Sequence, residues 1–273
     1  MFTLNIADTC IRCGACVADC PGSVLTMAEG AKPIAAEPDN CIDCQHCMAI
    51  CPVAALAVNG VQPAHSQAFT SADLPSAAKL DLLLRARRSC RRYEDEPVGA
   101  DLIRELLETT AHAPTGCNRQ GLSFHVISCA DRMKTFTDDA MAGLVELASG
   151  DKLPPTMELF RGIAERWTTT GQSRIFRGAP HLLVVSAAAD TPCAQEDPAI
   201  ALSYFELLAQ THGLGTTWCG LAKVLFELLP SFKQTLGIPG DASYYYPMLF
   251  GWPVASYPRT VQRRSAATIV EID

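Results

Sequence analysis

The chain has 273 residues, 48% hydrophobic and 19% charged, with a net charge of −7 at pH 7. That is ordinary globular composition for one or two domains with sizeable cores. The acidic balance argues against nucleic acid as a partner, since phosphate binding draws on clustered Lys and Arg. No run of about 18 apolar residues predicts a membrane span. The opening Met1-Phe-Thr-Leu-Asn-Ile6 lacks a basic stretch followed by a long apolar one, so a cytoplasmic location is expected.

The cysteines come first in chain order. There are 13, and eight of them lie between Cys10 and Cys51. Clustered cysteines without a secretion signal point to metal rather than to disulfides. Two segments share one pattern: Cys10-Ile-Arg-Cys13-Gly-Ala-Cys16-Val-Ala-Asp-Cys20-Pro21 and Cys41-Ile-Asp-Cys44-Gln-His-Cys47-Met-Ala-Ile-Cys51-Pro52. Both read C-x-x-C-x-x-C-x-x-x-C-P, the run of bacterial two-cluster ferredoxins, in which the fourth cysteine ligates the other cluster. Four-cysteine zinc sites use pairs of C-x-x-C with a longer gap between them, whereas each run here is a triplet plus one. Two 4Fe–4S clusters are therefore expected. One takes Cys10, Cys13, Cys16 and Cys51; the other takes Cys41, Cys44, Cys47 and Cys20. With every ligand position filled, residues 1–60 are predicted to be a ferredoxin-like electron relay.

Residues 61–76 are rich in Pro, Ala and Ser without periodicity and read as a linker. Residues 77–273 form the second predicted domain. A helix starts near Lys79, and a second runs from Ala100 to His112, before Pro114. Leu122–Ser128 alternates as a strand. Met133–Gly150 and Thr156–Gly171 are predicted helices, and His181–Ser186 a buried strand. Asp197–His212 is a long apolar helix ending at Gly213. Tyr244–Trp252 and Ala266–Ile272 are predicted strands. The class is α+β: a ferredoxin-like domain followed by a domain with a central, mainly antiparallel sheet.

Three segments of this domain carry chemistry. Arg85 to Arg92 holds five arginines in eight residues. It is either a solvated basic face or a phosphate clamp, with guanidinium groups paired to phosphate oxygens and the Ser89 hydroxyl added. Ala113-Pro114-Thr115-Gly116-Cys117-Asn118-Arg119-Gln120 is a tight loop whose polar groups suit a ring edge bearing donors and acceptors. Gly213-Leu-Gly215-Thr-Thr-Trp218-Cys219-Gly220 allows backbone to approach a flat ligand, although a helix end and a strand start account for it equally. The cysteines outside the two runs, Cys90, Cys117, Cys129, Cys193 and Cys219, read as small buried hydrophobes. No catalytic side chain is assigned.

The order R-R-S-x-R-x-[FY], A-P-[ST]-x-x-N-x-Q, G-L-G-x-x-W-x-G and P-x-x-x-G-x-P, the last at Pro247–Pro253, resembles the nitroreductase family of FMN enzymes over roughly residues 80–273. The resemblance implies an FMN site. Arg87, Arg88, Ser89 and Arg91 match the phosphate- and ribityl-binding arm. Pro114, Thr115, Asn118 and Gln120 match the loop at ribityl and ring. Cys219 and Gly220 match the turn whose backbone amide faces the flavin N5. Arg263 is the candidate that closes on the phosphate, with Arg264 and Arg259 behind it. A homodimer is implied, with Asp197–His212 as its core helix. Gln120-Gly121-Leu122 departs from the family's usual Gln-Pro-Trp, and Met133–Gly171 matches no family motif. The implied activity passes electrons through the clusters to FMN and on to a small electrophile: a nitroaromatic, quinone or enone. The donor is reduced ferredoxin or NAD(P)H. Two alternatives are an adaptor that delivers electrons to another protein, and an NAD(P)H-oxidising flavoenzyme whose clusters carry electrons out.

Overall fold

The computed structural model describes residues 1–263 and 267–272. They divide into two compact units: Met1–Pro75 with Cys117–Arg119, and Ser76–Gly116 with the chain from Gln120 onward. Of residues 61–76, read from sequence as a linker, 61–75 group with the first unit and Ser76 with the second. Val61 bridges back to Val58 and Pro63–His65 forms one 3₁₀ turn.

The first unit runs β1 (Leu4–Ile6), α1 (Ala15–Ala18), β2 (Leu25–Thr26), β3 (Ile34–Ala35), α2 (His46–Ala49) and β4 (Leu56–Val58). β1 pairs antiparallel with β4, and β2 with β3. The duplicated cysteine run appears as duplicated structure. Each run contains one short helix, entered through a left-handed residue: Gly14 at φ 73° before α1 and Gln45 at φ 58° before α2. Glycine adopts that conformation freely, and glutamine does so at a cost. Val24, Leu25, Met48, Leu56 and Val58 form the small core between the halves.

The second unit contains α3 (Ala77–Ala86), α4 (Ala100–Thr110), β5 (Leu122–Ile127), α5 (Ala130–Ser149), α6 (Glu158–Thr170), β6 (His181–Ala187), α7 (Glu196–Thr211), β7 (Gly215–Trp218), α8 (Gly220–Leu228), α9 (Ser231–Thr235) and β8 (Tyr244–Gly251). Its sheet has the order β5-β6-β8-β7, antiparallel throughout. Every residue of β6 is buried, which explains its unbroken apolar sequence: both faces are covered. Alternation along the strand sends Leu182 and Val184 into one core with α5, α6 and α8, and Leu183 and Val185 into the other with α4 and α7. Of the predicted strand Ala266–Ile272, Ala266 lies outside the described residues, residues 267–272 carry no regular structure, and Ile269 is 85% exposed. The segment's β-branched pattern has no neighbouring strand to complete a ladder, and the four-strand sheet ends at β7.

A buried polar side chain opens the inner strand β6. His181 is fully buried and its ring stacks on Phe250. Nε2 accepts from the Val98 amide at 2.8 Å, which leaves Nδ1 to donate to the Ile127 carbonyl at 3.3 Å. Burial holds its pKa below the ordinary 6.5. Above 6.5 the ring is neutral in both states. Below it, the unfolded chain takes up a proton that the folded ring refuses, so stability falls as pH falls. The midpoint of thermal unfolding should therefore drop between about pH 7 and about pH 5, and His181→Gln should flatten that slope. Part of the slope stays with the half-buried His125, whose pKa burial also lowers.

Candidate functional site

The first unit holds two cysteine-lined cavities. One is walled by Cys20, Cys41, Cys44 and Cys47, beside Val24 and Val58. The other is walled by Cys10, Cys13, Cys16 and Cys51, beside Val53 and Leu56. Each cavity takes three cysteines from one run and the fourth from the other run. None of the eight cysteines lining the cavities is in a disulfide. The Val24 amide donates to Cys20 Sγ at 3.3 Å and the Ala55 amide to Cys51 Sγ at 3.2 Å, so the crossing sulfurs are aimed by backbone and offered the bonds that favour thiolate. Among the described residues no three Cys, His, Asp or Glu side chains converge on a single-ion site. A shell of four sulfurs around an open apolar cavity suits a multi-atom iron–sulfur cube better than one zinc.

In the second unit the arginine run leaves α3 and lies along β7. Ser89 bridges in parallel to Thr216, and the Cys90 amide donates to the Thr216 carbonyl at 2.7 Å. The Cys90 carbonyl accepts from the hydroxyls of Thr217 and Tyr93. Gly215 permits this close docking: a Cβ there would meet Cys90 Cβ at 2.6 Å and Pro253 Cβ at 3.2 Å. Arg87 Nη1 reaches Glu206 Oε1 at 3.2 Å. Arg88 donates through Nη1 to the Arg87 carbonyl, while its Nη2 is buried with no hydrogen-bond partner. A buried guanidinium nitrogen without an acceptor is costly, and an anionic oxygen is the acceptor it suits. Arg91 is exposed. The arm therefore fits a phosphate group: three adjacent cationic or hydroxyl side chains, Arg87, Arg88 and Ser89, and an orphaned donor.

β7 leads into Cys219 and Gly220 at the start of α8. A Cβ on Gly220 would lie 3.1 Å from the Tyr246 hydroxyl, so backbone stays bare at the turn matched to N5. Cys219 is buried, its thiol donating to the Ile175 carbonyl at 3.4 Å, and burial pushes its pKa up to about 11. It is a neutral thiol, not a nucleophile.

The loop Pro114–Gln120 is divided. The Gly116 amide donates to both oxygens of the buried Asp197, at 3.1 and 3.2 Å, and the Gln120 amide to Thr115 Oγ1 at 2.9 Å. Cys117–Arg119 belong to the first unit, where the Asn118 side chain donates through Nδ2 to the Ile42 carbonyl at 2.9 Å. Cys117, Asn118 and Gln120 are all left-handed, at φ 53°, 52° and 50°. Such conformations cost about 1–3 kcal/mol each and gather at functional sites. Arg259 and Arg263 are exposed, and Arg264 lies outside the described residues.

Sequence reasoning passed over Asp197 and Glu206. The signal was present: Glu206 stands four residues after Leu202 and beside Phe205, in the buried stripe of α7, where a carboxylate has no place unless it is paired.

Residues 84–252 match the family model of the nitroreductase family, and residues 9–55 match that of a 4Fe-4S dicluster domain. The chain belongs to the nitroreductase family, with the dicluster domain preceding the family region. Its fold is similar to that of a nitroreductase with bound FMN from Bacteroides fragilis NCTC 9343, at 20% identity and TM-score 0.58, over 72% of this chain and 100% of that one. It is also similar to a nitroreductase with bound FMN from Desulfitobacterium hafniense DCB-2, at 23% identity and TM-score 0.56, over the same shares. A curated relative, nitrobenzene nitroreductase of Ectopseudomonas oleovorans, is 29% identical over 108 residues, which are 38% of this chain and 44% of that protein. The match thus spans less than half the length of that relative.

Gly215→Ala should lower the melting temperature, since the new methyl group collides with Cys90 and the arm must lift from β7. Overpacking of this kind costs about 1–3 kcal/mol. Iron content should stay unchanged, because the cysteine runs lie in the other unit.

Proposed function

We propose that this protein is an iron–sulfur flavoprotein oxidoreductase. Electrons pass through two 4Fe–4S clusters to FMN, and the reaction is reduction of a small electrophile of the nitroaromatic, quinone or enone class. The observation that carries this reading is the crossed grouping of the eight cysteines around two cavities, in one chain with a nitroreductase-family domain. The FMN named for the two solved neighbours and the activity named for the curated relative support it.

When bound, FMN exchanges electrons singly or as a hydride, which suits one-electron donors to a two-electron reduction. The chain's own part is placement and charge. Arg87, Arg88 and Ser89 hold the phosphate, with Arg263 closing on it. Arg91, Pro114, Thr115, Asn118 and Gln120 serve the ribityl chain and ring. The backbone of Cys219 and Gly220 serves the ring edge at N5. No side chain is assigned as an acid; the Cys219 thiol is buried and fully protonated near neutral pH, and protons come from solvent. The working state is a homodimer. α3 buries none of its residues within one chain and exposes Leu80, Leu82 and Leu84, an apolar surface that a second copy would cover. Reduced ferredoxin or NAD(P)H is the donor.

Cys20→Ala tests the relay. Intact protein should carry about eight irons per chain. The variant should lose the cluster shared with Cys41, Cys44 and Cys47 while keeping FMN. Reduction of a nitroaromatic by dithionite should survive in it, whereas turnover driven by reduced ferredoxin should collapse. Unimpaired ferredoxin-driven turnover would defeat the relay.

Arg88→Ala tests the cofactor site. It removes the orphaned Nη2 and a charge-assisted contact to phosphate, so FMN affinity should fall about ten- to a hundredfold. Iron content should stay intact. Flavin titration of the stripped protein measures the first, and iron assay the second.

A further inference from the structure

Glu206 lies near the middle of α7, where the neighbouring buried positions are Leu202, Phe205 and Ala209. Its residue is 7% exposed. Three donors from two places in the chain, the arginine arm and β7, meet its carboxylate. Oε1 accepts from Arg87 Nη1 at 3.2 Å and from the Thr216 hydroxyl at 3.1 Å, and Oε2 accepts from the Trp218 indole at 3.2 Å. A buried carboxylate with one cationic partner and two neutral donors is compensated in charge and satisfied in hydrogen bonds. Thr216 is also the residue to which the Ser89–Cys90 backbone is docked. One side chain therefore ties the helix, the sheet strand β7 and the arginine arm together.

We infer that Glu206 is the positioning residue of the phosphate-binding arm: it holds Arg87 by Nη1 alone, so that the remaining guanidinium N–H groups face the phosphate of the flavin nucleotide. A guanidinium has five N–H donors in a rigid fork, and Glu206 occupies only one nitrogen. Fixing that nitrogen orients the others and removes the rotamer entropy that binding would otherwise cost. Glu206 touches no ligand atom itself; its influence on phosphate runs through Arg87. The inference rests on the proposed FMN site.

The experiment is a double-mutant cycle on the full-length protein, stripped of flavin with clusters intact, titrated with FMN and with riboflavin, which lacks the phosphate. Glu206→Gln should weaken FMN binding about tenfold and leave riboflavin binding unchanged, so that the FMN-to-riboflavin preference falls. In the Arg87→Ala background the same substitution should have no further effect on FMN. Equal loss of FMN and riboflavin, or a full Glu206 effect without Arg87, would overturn the inference and make Glu206 a purely structural group. An FMN affinity unchanged by Arg87→Ala alone would instead defeat the phosphate reading on which it rests. If Glu206→Gln does not fold, Thr216→Val takes its place in the cycle. It removes one donor without touching the charge and should lower the FMN-to-riboflavin preference severalfold, again only when Arg87 is present; an unchanged preference would overturn the inference.

Discussion

A carboxylate buried in the stripe of a helix must be paired, and the arrangement of the second unit follows from pairing Glu206. Removing one partner of a buried ion pair costs about 3–5 kcal/mol, comparable to a large fraction of the stability of a whole domain. Arg87 supplies the charge from a position 119 residues earlier in the chain. Thr216 and Trp218 supply hydrogen bonds from the same edge strand. The arm cannot leave β7 without stranding that carboxylate, and β7 cannot shift register without losing both of its donors. A second carboxylate on the same helix repeats the device at its N-terminal end, where Asp197 grips the Gly116 amide with both oxygens. α7 thereby anchors the arginine arm, the glycine strand and the head of the Pro114 loop.

This explains which parts of the candidate site were legible in the sequence. Arg87, Arg88 and Ser89 announce themselves because a cationic run in an acidic chain is unusual. The cysteine runs do so because their spacing is set by the geometry of the cluster they enclose. The grouping of Cys20 with Cys41, Cys44 and Cys47 follows from the direction of the short helix that carries the third cysteine of each triplet and leads to the fourth, and each helix lies within its run. Glu206 and Asp197 were hidden because their partners are distant in sequence and nothing local marks them except their company. A periodicity analysis counts each as a polar interruption of an apolar helix.

The fold followed the same division. Helices α4 to α7 and strands β5, β6 and β8 lie within a few residues of their expected bounds, because each has a periodic apolar pattern or a long buried run. The segment at 267–272 failed because β-branched alternation describes a surface that fits a sheet and does not provide the neighbour that completes it. Residues 61–75 lack any apolar pattern and group with the first unit although all but Val61 and Pro63 are exposed. Their turn depends on Pro63 and on the bridge to Val58, a contact that composition does not encode.

The chemistry of Arg87 also limits what could stand in its place. A lysine could neutralise Glu206, but its ammonium is a compact point charge on a flexible stem, and one anion would take most of its directed bonding. The guanidinium can hold a carboxylate at one nitrogen and present a second edge to another anion without turning. Beside it, Arg88 spends Nη1 on the Arg87 carbonyl and keeps Nη2 buried and unpaired. One residue of the arm is thus anchored and charge-compensated, while its neighbour retains an unsatisfied cationic donor. The first limits repulsion between adjacent guanidinium groups; the second keeps a donor that the proposed phosphate would satisfy. An arm of two uncompensated arginines would repel itself apart, and one of two fully paired arginines would have little left to bind with.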